Sequence, residues 1–147
     1  MKAMMGFGFF LLFLAGIALV MLQGRDMARQ NMPAGGAAMT GIEWRPTLLG
    51  ADQIAADSGL SVLFAIDGSI KGNGGCNKFF GSLQTTDDGL SVGELGATRM
   101  ACPPEIMDRE MAFMKALQET TQFEMGENSL QLLGAGNVLL AELVGPD

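Results

Sequence analysis

The chain's only thiols are Cys76, inside the stretch Gly72 to Gly81 (Gly-Asn-Gly-Gly-Cys-Asn-Lys-Phe-Phe-Gly), and Cys102, at the end of Thr98-Arg99-Met100-Ala101-Cys102. As a pair they support three chemistries: a disulfide, two reduced buried thiols, or a reactive thiolate at Cys76 whose pKa is lowered by the neighbouring Lys78. The chain has no histidine, which removes Ser-His-Asp triads, Cys-His pairs and histidine-ligated zinc from consideration. Two thiolates alone cannot complete a four-cysteine zinc site. The glycine-rich stretch lacks the Lys-Ser/Thr ending and the following helix that a phosphate-binding loop requires. Carboxylates remain, as Asp87-Asp88 and as Glu105 with Asp108, but a turn and a helix start account for them. No nucleophile, base and orienting group can be named together, so the reading is a non-enzymatic protein that needs no metal and no cofactor.

Binding is the chemistry left. Four glycines between Gly72 and Gly81 mark a place where the backbone takes positive φ or passes close to another segment, which describes a sheet corner. Asn77, Lys78, Phe79 and Phe80 are the candidate binding residues there. The two phenylalanines are large apolar anchors, and Asn77 and Lys78 are expected to be exposed.

Short strands and one helix must position this corner. Ile42 to Leu49 reads as a first strand, placed at a sheet edge because Pro46 cannot donate to a ladder. Leu60, Val62, Phe64 and Ile66 alternate with a second set of residues up to the tight-turn pair Asp67-Gly68, and a hairpin into Ser69 to Asn73 follows. Phe79 to Thr85 and Leu90 to Leu95 form a further pair about Asp87-Asp88-Gly89. Pro103-Pro104-Glu105 then opens a helix, with prolines in its first turn and an acidic residue at its positive end. Ile106, Glu110, Phe113 and Leu117 recur at the helical period, joined by Met107, Met111 and Met114 as flexible core filling. Thr121 to Met125, Leu130 to Leu133 and Val138 to Val144 complete the strands. The fold class is α+β: a curved antiparallel β-sheet, partly closed and barrel-like, wrapping one α-helix.

The charge is divided unevenly. The first 40 residues hold three of the nine basic residues and one of the sixteen acidic ones, leaving six against fifteen in the remainder. So acidic a domain repels a phosphate backbone, which argues against nucleic-acid binding. Met4 to Leu22 is free of charge over nineteen positions, close to the ~20 residues a membrane-spanning helix needs. Residues 1–24 are therefore expected to form a transmembrane or signal helix. Lys2 before it favours a single-pass anchor in a bacterial inner membrane with the domain in the periplasm; the alternative is a cleaved signal and secretion to the periplasm. Residues 25–40, rich in small residues and breakers, read as a flexible linker. Its methionines, Met27, Met32 and Met39, are too irregularly spaced for a Cu(I) site. Residues 41–147 form the folded domain. In a periplasm, the disulfide becomes the favoured state of Cys76 and Cys102.

With these segments in view, the domain from about Trp44 to Val144 resembles the META family of HslJ-like bacterial heat-shock proteins. Gly75-Cys76-Asn77 with Phe79 and Gly81 matches the family's first signature. Thr98, Met100, Ala101 and Cys102 match its second, Glu110, Phe113 and Leu117 its helix, and Leu130, Leu132 and Leu140 its closing hairpin. The resemblance implies a small barrel-like sheet with one helix, exported or tethered in a bacterial envelope and associated with heat shock, novobiocin tolerance, motility or secretion, with no catalytic mechanism attached. This chain departs from the pattern at Pro46, in the first strand, and at Ile17, where lipoprotein relatives carry a lipid-bearing cysteine. The expected function is an envelope stress protein that binds a partner through the corner and the sheet rim. The alternative is a periplasmic small-ligand or enzyme-inhibitor module.

Overall fold

In the computed structural model, which describes residues 34–86 and 89–146, ten strands and one long helix enclose a single core. The strands are β1 (Glu43–Leu49), β2 (Asp52–Gln53), β3 (Leu60–Phe64), β4 (Ser69–Gly74), β5 (Lys78–Thr86), β6 (Gly89–Val92), β7 (Gly96–Ala97), β8 (Gln122–Met125), β9 (Ser129–Leu133) and β10 (Leu139–Val144). A short helix α1 (Ala34–Met39) precedes them, and α2 (Pro104–Glu119) lies between β7 and β8. All strand pairings are antiparallel, in the order β6-β5-β4-β3-β1-β10-β9-β8, with β2 added to β1 and β7 to β5. This is the expected α+β architecture of a curved, nearly closed sheet around one helix.

The ends of the sheet meet where the Leu90 N–H donates to the Thr121 carbonyl at 3.1 Å. Gly89 makes that approach possible, since a Cβ there would lie 2.0 Å from the same oxygen. We expect Gly89→Ala to lose about 2 kcal/mol by forcing the seam apart, read as a lower urea midpoint.

Alternation along the strands builds the core. Leu60, Val62 and Phe64 of β3 face inward, as period-two geometry requires. Helix α2 contributes Phe113, Ala116 and Leu117, and packs on β1, β4, β6 and β10. Phe113 meets Phe79 edge-to-face, with ring centroids 5.8 Å apart and planes at 80°, the arrangement that ring quadrupoles favour.

Four expectations are corrected. First, β1 is not an edge strand: it pairs with β3 through Glu43 and Trp44 and with β10 from Arg45 onward. Pro46 is tolerated because β1 shifts register between Pro46 and Leu48 and its ladder with β3 has already ended at Trp44. Second, Ile66 does not continue β3. The turn closes at Ala65, whose N–H donates to Ser69 O, and leaves Ile66 76% exposed. In that turn Asp67 Oδ1 accepts from both the Ser69 hydroxyl (2.6 Å) and the Ser69 N–H (2.9 Å); these bonds, with a smaller contribution from the Lys71 charge, hold its carboxyl below the ordinary carboxylate value.

Third, Met107 and Met111 are exposed and Met114 is half-buried. The inward stripe of α2 is Glu110, Phe113, Ala116 and Leu117, which leaves Met107 and Met111 on the flank that the sheet does not cover. Fourth, the packed unit begins before residue 41: α1 ends in Met39, which is fully buried and whose carbonyl accepts the Trp44 indole N–H at 2.9 Å. A buried indole needs such a partner, so residues 34–40 belong to the domain rather than to a tether. Residues 1–33, with the expected membrane segment, lie outside the described residues; among the described residues no helix is long and apolar enough to cross a membrane.

Candidate functional site

The segment between β4 and β5 forms the expected corner. Gly75 takes φ +93°, a conformation that glycine alone adopts without strain. The Gly75 N–H donates to Asn73 Oδ1 at 2.9 Å, and the Gly74 N–H to Asn77 O at 2.7 Å. Cys76 is bonded to Cys102, with Cα atoms 6.0 Å apart, which ties the corner to the entrance of α2. Of the three states open to the cysteines, the structure contains the disulfide.

Beside the disulfide lies a polar cluster. Asn77 is buried, 4% exposed, which corrects the expectation that it faces solvent. Its Nδ2 donates to Glu110 Oε1 (2.8 Å), and its backbone N–H donates to Glu110 Oε2 (2.5 Å). Its Oδ1 accepts from the Thr98 hydroxyl (2.9 Å) and the Met100 N–H (2.6 Å). Thr98 Oγ1 accepts in turn from the Lys78 N–H at 3.2 Å. Among the described residues no buried side-chain nitrogen or oxygen lacks a partner. Such a fully satisfied network fixes one geometry, because any displacement leaves a desolvated polar group unpaired. Asn77 is therefore a clamp joining three segments, and none of its side-chain hydrogen-bonding groups is left free for a ligand.

Glu110 is the residue that sequence reasoning missed in this role. Its signal was present: a carboxylate at a core-facing position between Ile106 and Phe113 has to find donors. What the sequence withheld was the partner, which lies 33 positions away.

The other site residues separate by face. Phe79 is buried in the core, and Phe80, its neighbour on β5, is 61% exposed. Lys78 is exposed, as are Thr98, Met100 and Ala101, while Cys102 is half-buried. Gly81 is required by close packing, since a Cβ there would sit 2.7 Å from Leu95 Cδ2 and 2.9 Å from Glu94 O. Glu105 and Asp108 are exposed on α2, and Asp87 and Asp88 lie outside the described residues. Among the described residues no group of three His, Cys, Asp or Glu side chains is placed to hold a metal ion.

Two concavities flank these elements. One, of about 560 Å³, lies between α2 and β1–β2, with Leu49, Ile54 and Leu140 among its apolar lining and Asp52, Arg109 and Lys115 among its charges. The other, of about 500 Å³, is a trough on the outer face of β3, β4 and β5 that includes Lys78 and Phe80.

A nearly closed antiparallel sheet with one helix packed into it and a disulfide corner tied to the helix entrance defines a small α+β barrel-like domain. The chain belongs to the META domain family, whose model matches residues 37–143. Among solved structures it is similar to a protein from Burkholderia xenovorans, at 26% identity over 78% of this chain and 88% of that one, with a TM-score of 0.62. A second protein of known solution structure is 21% identical over 74% of this chain and 92% of that one, with a TM-score of 0.58. A DUF4847 family protein from Bacteroides vulgatus shares the fold at 13% identity, covering 76% and 96% of the two chains, with a TM-score of 0.54. No functionally curated protein matches the chain.

Proposed function

We propose that this is a non-enzymatic envelope protein of the stress-response type, which binds a partner through the outer sheet face beside the disulfide corner. One observation carries the reading: Lys78 and Phe80 project outward from a strand that is immobilised on its inner side by Asn77 and Phe79. A large apolar side chain held in water on a rigid strand gains by being covered and loses little conformational entropy when covered. The uncharged run from Met4 to Leu22 supports tethering at a membrane, and a disulfide supports an oxidising compartment. Retention of the chain in membranes after carbonate extraction checks the tether.

The decisive test is complementation of a deletion strain under heat and novobiocin stress. The Phe80→Ala and Lys78→Ala variants are expected to lose protection while their unfolding free energies stay within about 0.5 kcal/mol of the parent. If protection is lost only in variants that also unfold, the exposed face is not a binding surface.

A small-ligand module is the second reading, favoured by the mixed apolar and charged lining of the cleft beside α2. It requires a saturable, ligand-dependent rise in melting temperature that an Arg109→Ala substitution removes.

A further inference from the structure

The strand register arranges the outer face into two rows. Glu43, Leu63, Lys71, Phe80 and Gly96 stand directly opposite one another across β1, β3, β4, β5 and β7. One step along, Ser61, Asn73 and Lys78 stand opposite across β3, β4 and β5. Lys78 is two residues from Phe80, which places it diagonally from Lys71, and such diagonal neighbours lie about 7–8 Å apart.

This placement runs against the charge of the domain. Residues 41–147 carry fifteen acidic and six basic side chains, yet two of the six stand side by side here. Arg45 is within 3.9 Å of Glu43, and Lys115 within 3.7 Å of Glu119. Among the described residues Lys71 and Lys78 form no ion pair with a carboxylate. Asp67 is close enough to feel the Lys71 charge, but its carboxylate is engaged by Ser69. Two exposed like charges at this spacing repel weakly, and an anionic partner can meet both.

The aromatic between them is preset. Its ring lies against Gly96, where a Cβ would come within 3.0 Å of Phe80 Cε2. Leu63, half-buried in the same row, extends the apolar floor.

Resting on the binding face proposed above, we infer that its partner is an extended protein segment in which acidic and apolar side chains occupy alternate outward positions. In an extended chain, side chains on one face repeat every ~6.8 Å, the same interval that separates the two rows. A carboxylate can therefore meet a lysine in one row while an apolar side chain covers Phe80 in the other. Long polyanions and anionic membranes are disfavoured by the acidic remainder of the domain; a short segment satisfies the trough without meeting that field.

The test is fluorescence anisotropy of a rhodamine-labelled peptide of sequence Asp-Ser-Leu-Ser-Asp-Ser-Leu titrated with the full-length chain. Saturable binding is expected, weakened about tenfold or more by Phe80→Ala and by the double change Lys71→Glu and Lys78→Glu. It is also expected to weaken several-fold between 50 and 500 mM NaCl, and a lysine-for-aspartate peptide should not bind. Equal binding of the two peptides overturns the inference, as does indifference to the charge reversal or binding to anionic vesicles in place of the acidic peptide. If the acidic peptide fails to bind while Phe80→Ala still abolishes stress protection in a folded protein, the partner chemistry falls and the binding face stands.

Discussion

Glu110→Leu is expected to lower the unfolding free energy by about 3 kcal/mol, the cost of leaving two buried donors without their acceptor. The donors are the backbone N–H and side-chain Nδ2 of Asn77, both of which end on the Glu110 carboxylate. After the change Nδ2 keeps only its 3.4 Å approach to Met100 O. Leucine is larger than glutamate, so the change opens no cavity and the loss reflects the unpaired donors. Glu110→Gln retains one acceptor and should fall between the parent and the leucine variant. The measurement is urea denaturation, in which the midpoint should move by about 1–3 M with an unchanged slope. A leucine variant as stable as the parent would show that the cluster does not hold the corner.

The second large effect concerns the disulfide. Its loop spans 26 positions, and the chain-entropy relation assigns such a loop about 3 to 4 kcal/mol, acting mainly through the unfolded state. Cys76→Ser, Cys102→Ser and reduction of the parent should each lower the urea midpoint by a similar amount, and reduction should leave the two single variants unchanged. Any further loss in Cys76→Ser beyond that of Cys102→Ser would measure the cost of burying a hydroxyl, since Cys76 is buried and Cys102 half-buried.

What could be read in the sequence was mostly local. Asp67-Gly68 specifies its own turn, Pro104 and Glu105 specify the helix start, and four glycines within ten positions specify the corner, because each signal is complete within a few residues. Pro46 was misplaced because whether a strand lies at an edge depends on which distant strands flank it. A proline is excluded only where a partner needs its N–H, and at Pro46 β1 has left β3 while its ladder with β10 shifts register just beyond. Asn77 was misjudged for a related reason: an asparagine beside glycines has the composition of a solvated turn, and only Glu110, Thr98 and Met100 make it a buried clamp. Met107 and Met111 show the limit of periodicity, which locates an apolar stripe but not how much of its width the sheet covers.

The pairing of β1 with β10 has a consequence for how the chain matures. Arg45 opposes Val144 and Leu49 opposes Ala141, so the first long strand has its principal neighbour at the far end of the sequence. Contacts of this span are the slowest to form, because the intervening chain must be ordered before they contribute. The hairpins from β3 to β6 can assemble from local contacts, but one edge of β1 stays unpaired until β10 joins it. A chain cut short of Leu143 therefore leaves Trp44 and the core around it open to proteases and to other exposed strands.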